Sequence, residues 1–132
     1  MRKIEVDKSN SKSCLVTGAA GFIGSHLSQK LLDLAPKDLY QKLEKVDLNK
    51  PIQEKDNTFD AVMCVGTFTF GHVKPNALDE FVRITKSGGL ICFTINEGIH
   101  EEYGFDKKII SLNQNNKWKE IEFFKSDYIA SK

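Results

Sequence analysis

Between Cys14 and Leu27 the chain reads CLVTGAAGFIGSHL, an apolar run punctuated by Gly18, Gly21 and Gly24. Where a buried strand feeds a helix, such a turn has a chemical use. The first glycine permits a tight turn, the second lets the backbone approach a ligand, and the third lets the helix pack against its strand. Unpaired N–H groups at the helix start then hold a phosphate or another anionic group. A turn that only packs fits the same residues. Gly18, Ala20, Gly21 and Gly24 are therefore candidate ligand contacts. Asp47 precedes LNKP, and its carboxylate can accept a hydrogen bond from a ligand or organise its own turn. Val65, Gly66 and Thr67 follow the apolar run FDAVMC, and His72 comes shortly after. That imidazole can move a proton at neutral pH, although a histidine at a helix entry is as readily structural.

These residues act together only if a fold gathers them. SCLVTG reads as a short buried strand closed by Gly18. From Phe22 to Leu34, Phe22, Ile23, Leu27, Leu31, Leu32 and Leu34 recur at helical spacing, and Pro36 suits the first turn of a second helix, PKDLYQKL. EKVDLNKPI reads as a strand running into a turn, and NTFDAVMCVG as a buried strand that Gly66 ends. PNALDEFVRITKSGG is a helix with Leu78, Phe81, Val82 and Thr85 on one face and Gly88 near its end. LICFTIN is a further strand, EEYGFDKKIISLNQNNK a helix interrupted near Gly104, and WKEIEFFK a final strand. Alternating strands and helices imply a mostly parallel sheet covered on both faces. Ligands on such sheets bind at the carboxyl ends of the strands. That rule puts the segment 18–24, Asp47 and the segment 66–70 around one crevice.

The 132 residues fit one domain, with 1–12 a polar arm and 13–132 a single folded unit. A net charge of +1 gives no basic field for nucleic acid. No apolar run is long enough to cross a bilayer, and the polar start MRKIEVDKSNSKS lacks the apolar segment of a secretion signal. A cytoplasmic location is expected, with a nuclear one left open. Cys14, Cys64 and Cys92 sit in apolar runs without metal-ligand spacing, so they are expected to be reduced core residues, and no metal site is expected.

Written out as VTGAAGFIGSHL, the glycine turn resembles the extended short-chain dehydrogenase/reductases, over about residues 14–32. That likeness implies NAD or NADP with its pyrophosphate on the glycine turn. The family's Tyr-x-x-x-Lys spacing occurs twice, as Tyr103 with Lys107 and Tyr128 with Lys132. From about residue 38 to 125 the resemblance is different. DLYQKLEKVDLNKPI, FDAVMCVGTFTFGHV, ALDEFVRITKSGG and WKEIEFF are similar to class I S-adenosylmethionine-dependent methyltransferases, more narrowly to the methyltransferase-like proteins of the Williams–Beuren region type. This resemblance implies S-adenosylmethionine as cofactor and a small-molecule or unidentified methyl acceptor. It assigns Asp47 to the adenine amino group and Leu48 to the ring. Val65, Gly66 and Thr67 go to the amino-acid portion and the sulfonium, and His72 to the mouth of the substrate pocket.

The chain departs from the methyltransferase pattern in three places. LVTGAAGFIG has Ala20 where a middle glycine stands and no carboxylate on the strand before it. Ser87 replaces the proline before the paired glycines. The second strand, whose terminal carboxylate takes the ribose hydroxyls, has no counterpart. The expected fold is α/β: a three-layer sandwich with a Rossmann-like, mainly parallel sheet of about five strands lacking the usual second strand. Three functions fit. The first is a methyltransferase domain, shortened and either weakly active or inactive; the second is an NAD(P)-binding domain of the reductase type. The third is a non-catalytic Rossmann-like remnant or interaction module. Oligomeric state stays open.

Overall fold

A computed structural model of the chain describes residues 12–17, 42, 44–71 and 73–125. The expected polar arm (apart from Lys12), the helices at 22–34 and after Pro36, and the Tyr128–Lys132 pair lie outside them. Three strands, β1 (Cys14–Thr17), β2 (Phe59–Phe68) and β3 (Thr85–Ile95), form a parallel sheet in the order β1-β2-β3. Three helices follow β2: α1 (Ala77–Ile84) before β3, then α2 (Glu97–His100) and α3 (Phe105–Gln114). The fold is α/β with a small open parallel sheet, consistent with a Rossmann-like unit. The expectation of about five strands is corrected to three among the described residues.

Register decides which side chains share a face. Leu15 pairs with Val62 and Val62 with Ile91, while Thr17 pairs with Cys64 and Cys64 with Phe93. Alternation puts all six on one face, and the described helices cover that face. Leu78, Phe81 and Ile84 of α1, Ile99 of α2, and Phe105 and Leu112 of α3 join Val62, Cys64 and Phe68 in one buried cluster. Phe68 is its hinge, with ring centroids 4.9 Å from Phe105 and 6.0 Å from Phe81 and Phe93. The opposite face carries Val16, Met63, Val65 and Leu90, 43–58% exposed. Cys14 and Cys92 share that face by register and are exposed, contrary to the expected core positions; only Cys64 is buried.

Four element boundaries differ from the sequence reading. Residues 44–47 form no strand: the Lys50 N–H donates to the Asp47 carbonyl at 3.0 Å, and Val46 is exposed, so a turn replaces the ladder. β2 does not stop at Gly66; the glycine takes a left-handed φ of +72° as a bulge and the strand resumes through Phe68. Helix α1 ends at Ile84, because Thr85 is extended and its hydroxyl donates back to the Phe81 carbonyl. Thr85–Gly89, expected as a helix tail, instead starts β3. The segment 118–125, expected as a final strand, forms no strand, and β3 is the sheet edge among the described residues. The expected break at Gly104 is present: a φ of +78° there separates α3 from the turn before it.

Candidate functional site

Parallel strands end together, so the sequence-distant tips of β1 and β2 become neighbours. Thr17, the last residue of β1, pairs with Cys64 of β2. The Thr17 and Thr67 hydroxyl oxygens are both buried and have no hydrogen-bond partner among the described residues. The Cys64 thiol lies close to both; burial, the larger influence, pushes its pKa up, and the two neighbouring hydroxyls pull it back in part. A buried hydroxyl left unpaired costs about 1–3 kcal/mol. Two of them at one strand end are unusual for a merely structural turn.

The backbone next to these hydroxyls is open. Gly66 has nothing within 4 Å of where a Cβ would stand, and its N–H donates to Thr94 Oγ1 of β3 at 3.0 Å. Val65 points to the opposite, exposed face. Gly71, after the strand, also adopts a left-handed φ, +77°. An orphaned hydroxyl pair beside an unobstructed glycine backbone fits a polar ligand that brings its own donors and acceptors. Residues 17, 66 and 67 are thus suited to hold part of a cofactor.

The Asp47 turn reaches the same end of the sheet. Asp47 Oδ1 accepts the Asn49 N–H at 3.0 Å, and Asn49 Oδ1 accepts the Lys74 N–H at 2.9 Å, tying the turn to the loop after β2. Among the described residues Asp47 Oδ2 meets only Lys50 Nζ, at 3.6 Å, with both side chains more than half exposed. One carboxylate oxygen organises the turn, as its sequence context suggested, and the other can still accept a donor. Leu48 packs against the buried cluster, so its side chain serves the core.

Gly18, Ala20, Gly21, Gly24 and His72 lie outside the described residues. The reductase-type Tyr103–Lys107 pair is not assembled. Tyr103 Oη accepts the Gly71 N–H at 3.0 Å, Lys74 Nζ stands 4.5 Å from its ring centroid, and Gly104 separates it from α3. Sequence reasoning missed Thr17, whose β-branched side chain reads as an ordinary strand former; its position immediately before the first glycine was the available signal. Among the described residues no cluster of His, Cys, Asp or Glu could hold a metal ion, and no helix is long and apolar enough to cross a membrane.

Comparison with known proteins gives this geometry its context. Over 57 residues the chain is 44% identical to human methyltransferase-like protein 27, a match covering 42% of this chain and 23% of that protein. The chain thus spans about a quarter of the length of the curated relative it matches. No solved structure matches it. Residues 9–93, more than half of the chain, match the methyltransferase domain family and include β1, β2, α1, most of β3 and the glycine turn. On that extent of match, with strand tips suited to a polar cofactor, the chain belongs to the methyltransferase domain family.

Proposed function

We propose that this domain binds S-adenosylmethionine at the carboxyl ends of β1 and β2 and serves methyl transfer to a small-molecule acceptor. The observation that carries the reading is the pair of buried, unpartnered hydroxyls on Thr17 and Thr67 in a chain of this family. The bound cofactor supplies an activated methyl group whose leaving group is already built in. The protein's task is then binding and orientation, which can supply much of the acceleration without a nucleophilic side chain. Thr17 and Thr67 would offer hydroxyls to the polar part of the cofactor, and Gly66 the close backbone approach. Asp47 would accept from the adenine amino group through Oδ2. The turn from Gly18 to Gly24, with Ala20 in it, would receive the amino-acid end. His72 would take a proton from an acceptor that must lose one.

We also read FDAVMCVGTFTFGHV as placing the chain near the methyltransferase-like proteins of the Williams–Beuren region type. The nicotinamide reading is not favoured, because Tyr103 is committed to Gly71 and Lys74. A thermal melt with S-adenosylhomocysteine, NAD and NADP tests the proposal. At 100 times its dissociation constant a ligand adds about 2.7 kcal/mol of stability. A rise with S-adenosylhomocysteine alone is expected; a rise with NAD alone, or none at all, refutes the reading. Asp47→Ala should weaken S-adenosylhomocysteine several-fold, and unchanged affinity removes that residue from the site.

A further inference from the structure

Beyond the tip of β2 stands an aromatic ring whose placement the cofactor reading does not use. Phe70 is 53% exposed although its ring has a fixed seat. Gly98, in the first turn of α2, lies directly against it: a Cβ there would come within 2.6 Å of Phe70 Cζ. Asn96 Oδ1 accepts the Gly98 N–H at 2.9 Å and holds that turn in place. Tyr103 meets the Phe70 ring at 83°, with centroids 6.4 Å apart. The Gly71 N–H bonded to Tyr103 Oη fixes the phenol, and Lys74 Nζ lies over the phenol ring. Among the described residues no carboxylate pairs with Lys74. Among the described residues the loop thus presents one half-exposed aromatic ring and one ammonium without a carboxylate, around a shared tyrosine.

We infer that Phe70, Tyr103 and Lys74 form the acceptor-recognition wall and select a planar aromatic acid. The inference rests on the methyltransferase reading for its role, since a cofactor at the β1 and β2 tips leaves the β2 and β3 tips for the second substrate. Phe70 supplies stacking to the flat part of the acceptor, and Lys74 supplies the counter-charge to its acid group. Seating the ring on a glycine and a bonded tyrosine removes the ordering cost that an exposed aromatic side chain would otherwise incur on binding.

The test uses the full chain and 2-naphthoate as the probe, with 2-naphthalenemethanol and cyclohexanecarboxylate as controls lacking the charge and the aromatic rings. Saturation-transfer NMR and titration calorimetry should show 2-naphthoate bound more tightly than either control. Phe70→Ala should weaken it about tenfold and Phe70→Tyr should restore it. Lys74→Gln should abolish the preference for the acid over the alcohol. Gly98→Ala, which leaves Phe70 in the sequence but displaces its ring, should weaken 2-naphthoate several-fold and serves if Phe70→Ala does not fold. No binding to the unmodified chain, or binding indifferent to both Phe70→Ala and Gly98→Ala, overturns the assignment. S-adenosylhomocysteine affinity on the same samples separates the two readings. Retained cofactor binding with Phe70-independent naphthoate sinks the wall alone. Phe70-dependent naphthoate without any cofactor binding keeps the aromatic-acid site and sinks the transferase reading.

Discussion

The two ends of β2 are built on opposite rules. At the amino end the polar groups gathered around Asp60 are paired with one another. The Ser13 N–H donates to Asp60 Oδ2 at 2.7 Å, the Ser13 hydroxyl bonds to the Thr58 carbonyl, and Lys86 Nζ lies 3.2 Å from both Asp60 oxygens. The Ser13 N–H, and then Lys86, hold the Asp60 carboxyl below its usual range. At the carboxyl end, Thr17 and Thr67 keep buried hydroxyls without partners. Left-handed Gly66 and Gly71 leave open space where side chains would stand. One end is finished as structure; the other is left incomplete in the way a binding site is before its ligand arrives. Stability and binding should therefore respond separately to changes at the two ends.

Glycine substitutions should give the widest separation. A Cβ on Gly89 would lie 2.8 Å from the Asp60 carbonyl oxygen and 2.9 Å from that of Lys86, backbone atoms that cannot turn aside. Gly89→Ala should cost about 3 kcal/mol, the upper end of overpacking penalties. Gly66→Ala meets no atom and incurs only the left-handed backbone conformation, about 1 kcal/mol. Urea unfolding of the two variants measures the difference. Equal costs would mean that the amino end is no more tightly built than the carboxyl end.

Arg83 is the next lever on the finished end, where α1 returns to the start of β3. Its guanidinium donates to the Ile52 and Glu54 carbonyls at 2.8 and 2.7 Å, to Asp56, and to both Glu80 oxygens. Glu80 Oε2 also accepts the Ile52 N–H at 2.7 Å. The pair clamps the irregular segment 52–56 onto α1. Arg83→Met should destabilise by about 2 kcal/mol, the scale of one hydrogen bond to a charged group after partial compensation by water. S-adenosylhomocysteine affinity of the folded variant should not move. A fall in affinity as large as the fall in stability would show that the two ends are coupled.

The same division explains what could be read from the sequence. β1, β2 and α1 were legible because buried parallel strands and an amphipathic helix leave strong apolar patterns. The break at Gly104 was legible because a left-handed residue has a visible signature. Gly66 was misread as a stop: a glycine bulge and a strand end look alike without the neighbouring strand, and Thr94 is what keeps β2 going. Thr85–Gly89 was misread because Thr85 is buried in either state, and only pairing with Phe59 makes it a strand. WKEIEFF alternates like a strand, yet Ile121, Phe123 and Phe124 stay 64–79% exposed because a ladder needs a partner that periodicity cannot supply. Gly66 and Thr67 were legible as residues near the end of β2, whereas Asp47, expected at a strand end, lies in a turn. Which oxygen of Asp47 stays available, and that Thr17 lacks a partner, depend on contacts between distant segments.

Thr67 sharpens the comparison because its two effects should have opposite signs. Thr67→Val replaces an unpaired buried hydroxyl with a methyl group of similar shape. The ligand-free protein should hold its stability or gain up to about 1 kcal/mol. S-adenosylhomocysteine should bind about tenfold more weakly, the equivalent of one lost hydrogen bond. Thermal melts with and without the ligand read both numbers from one sample set. A destabilised free protein would mean that the hydroxyl is already satisfied, and the incomplete end would lose its defining feature.

The smallest effect is a pH dependence confined to the finished end. The Arg83 guanidinium, its principal partner, and then the Ile52 N–H lower the Glu80 pKa from 4.5. A carboxylate with a lowered folded-state value contributes fully above its unfolded value of 4.5, and that contribution disappears as the pH falls through the folded value. Glu80→Gln cannot titrate, so its melting curve should lose less stability than the unmodified protein between pH 5 and pH 3, a range set around that unfolded value. Asp60 and Glu97, shifted the same way, keep titrating in both proteins and contribute to the slope that remains. Identical slopes in the two proteins would remove the Glu80–Arg83 clamp from the account of why the amino end holds. Ligand affinity is the control: it should fall no further in Glu80→Gln than in the parent, because no carboxylate of this clamp reaches the strand tips.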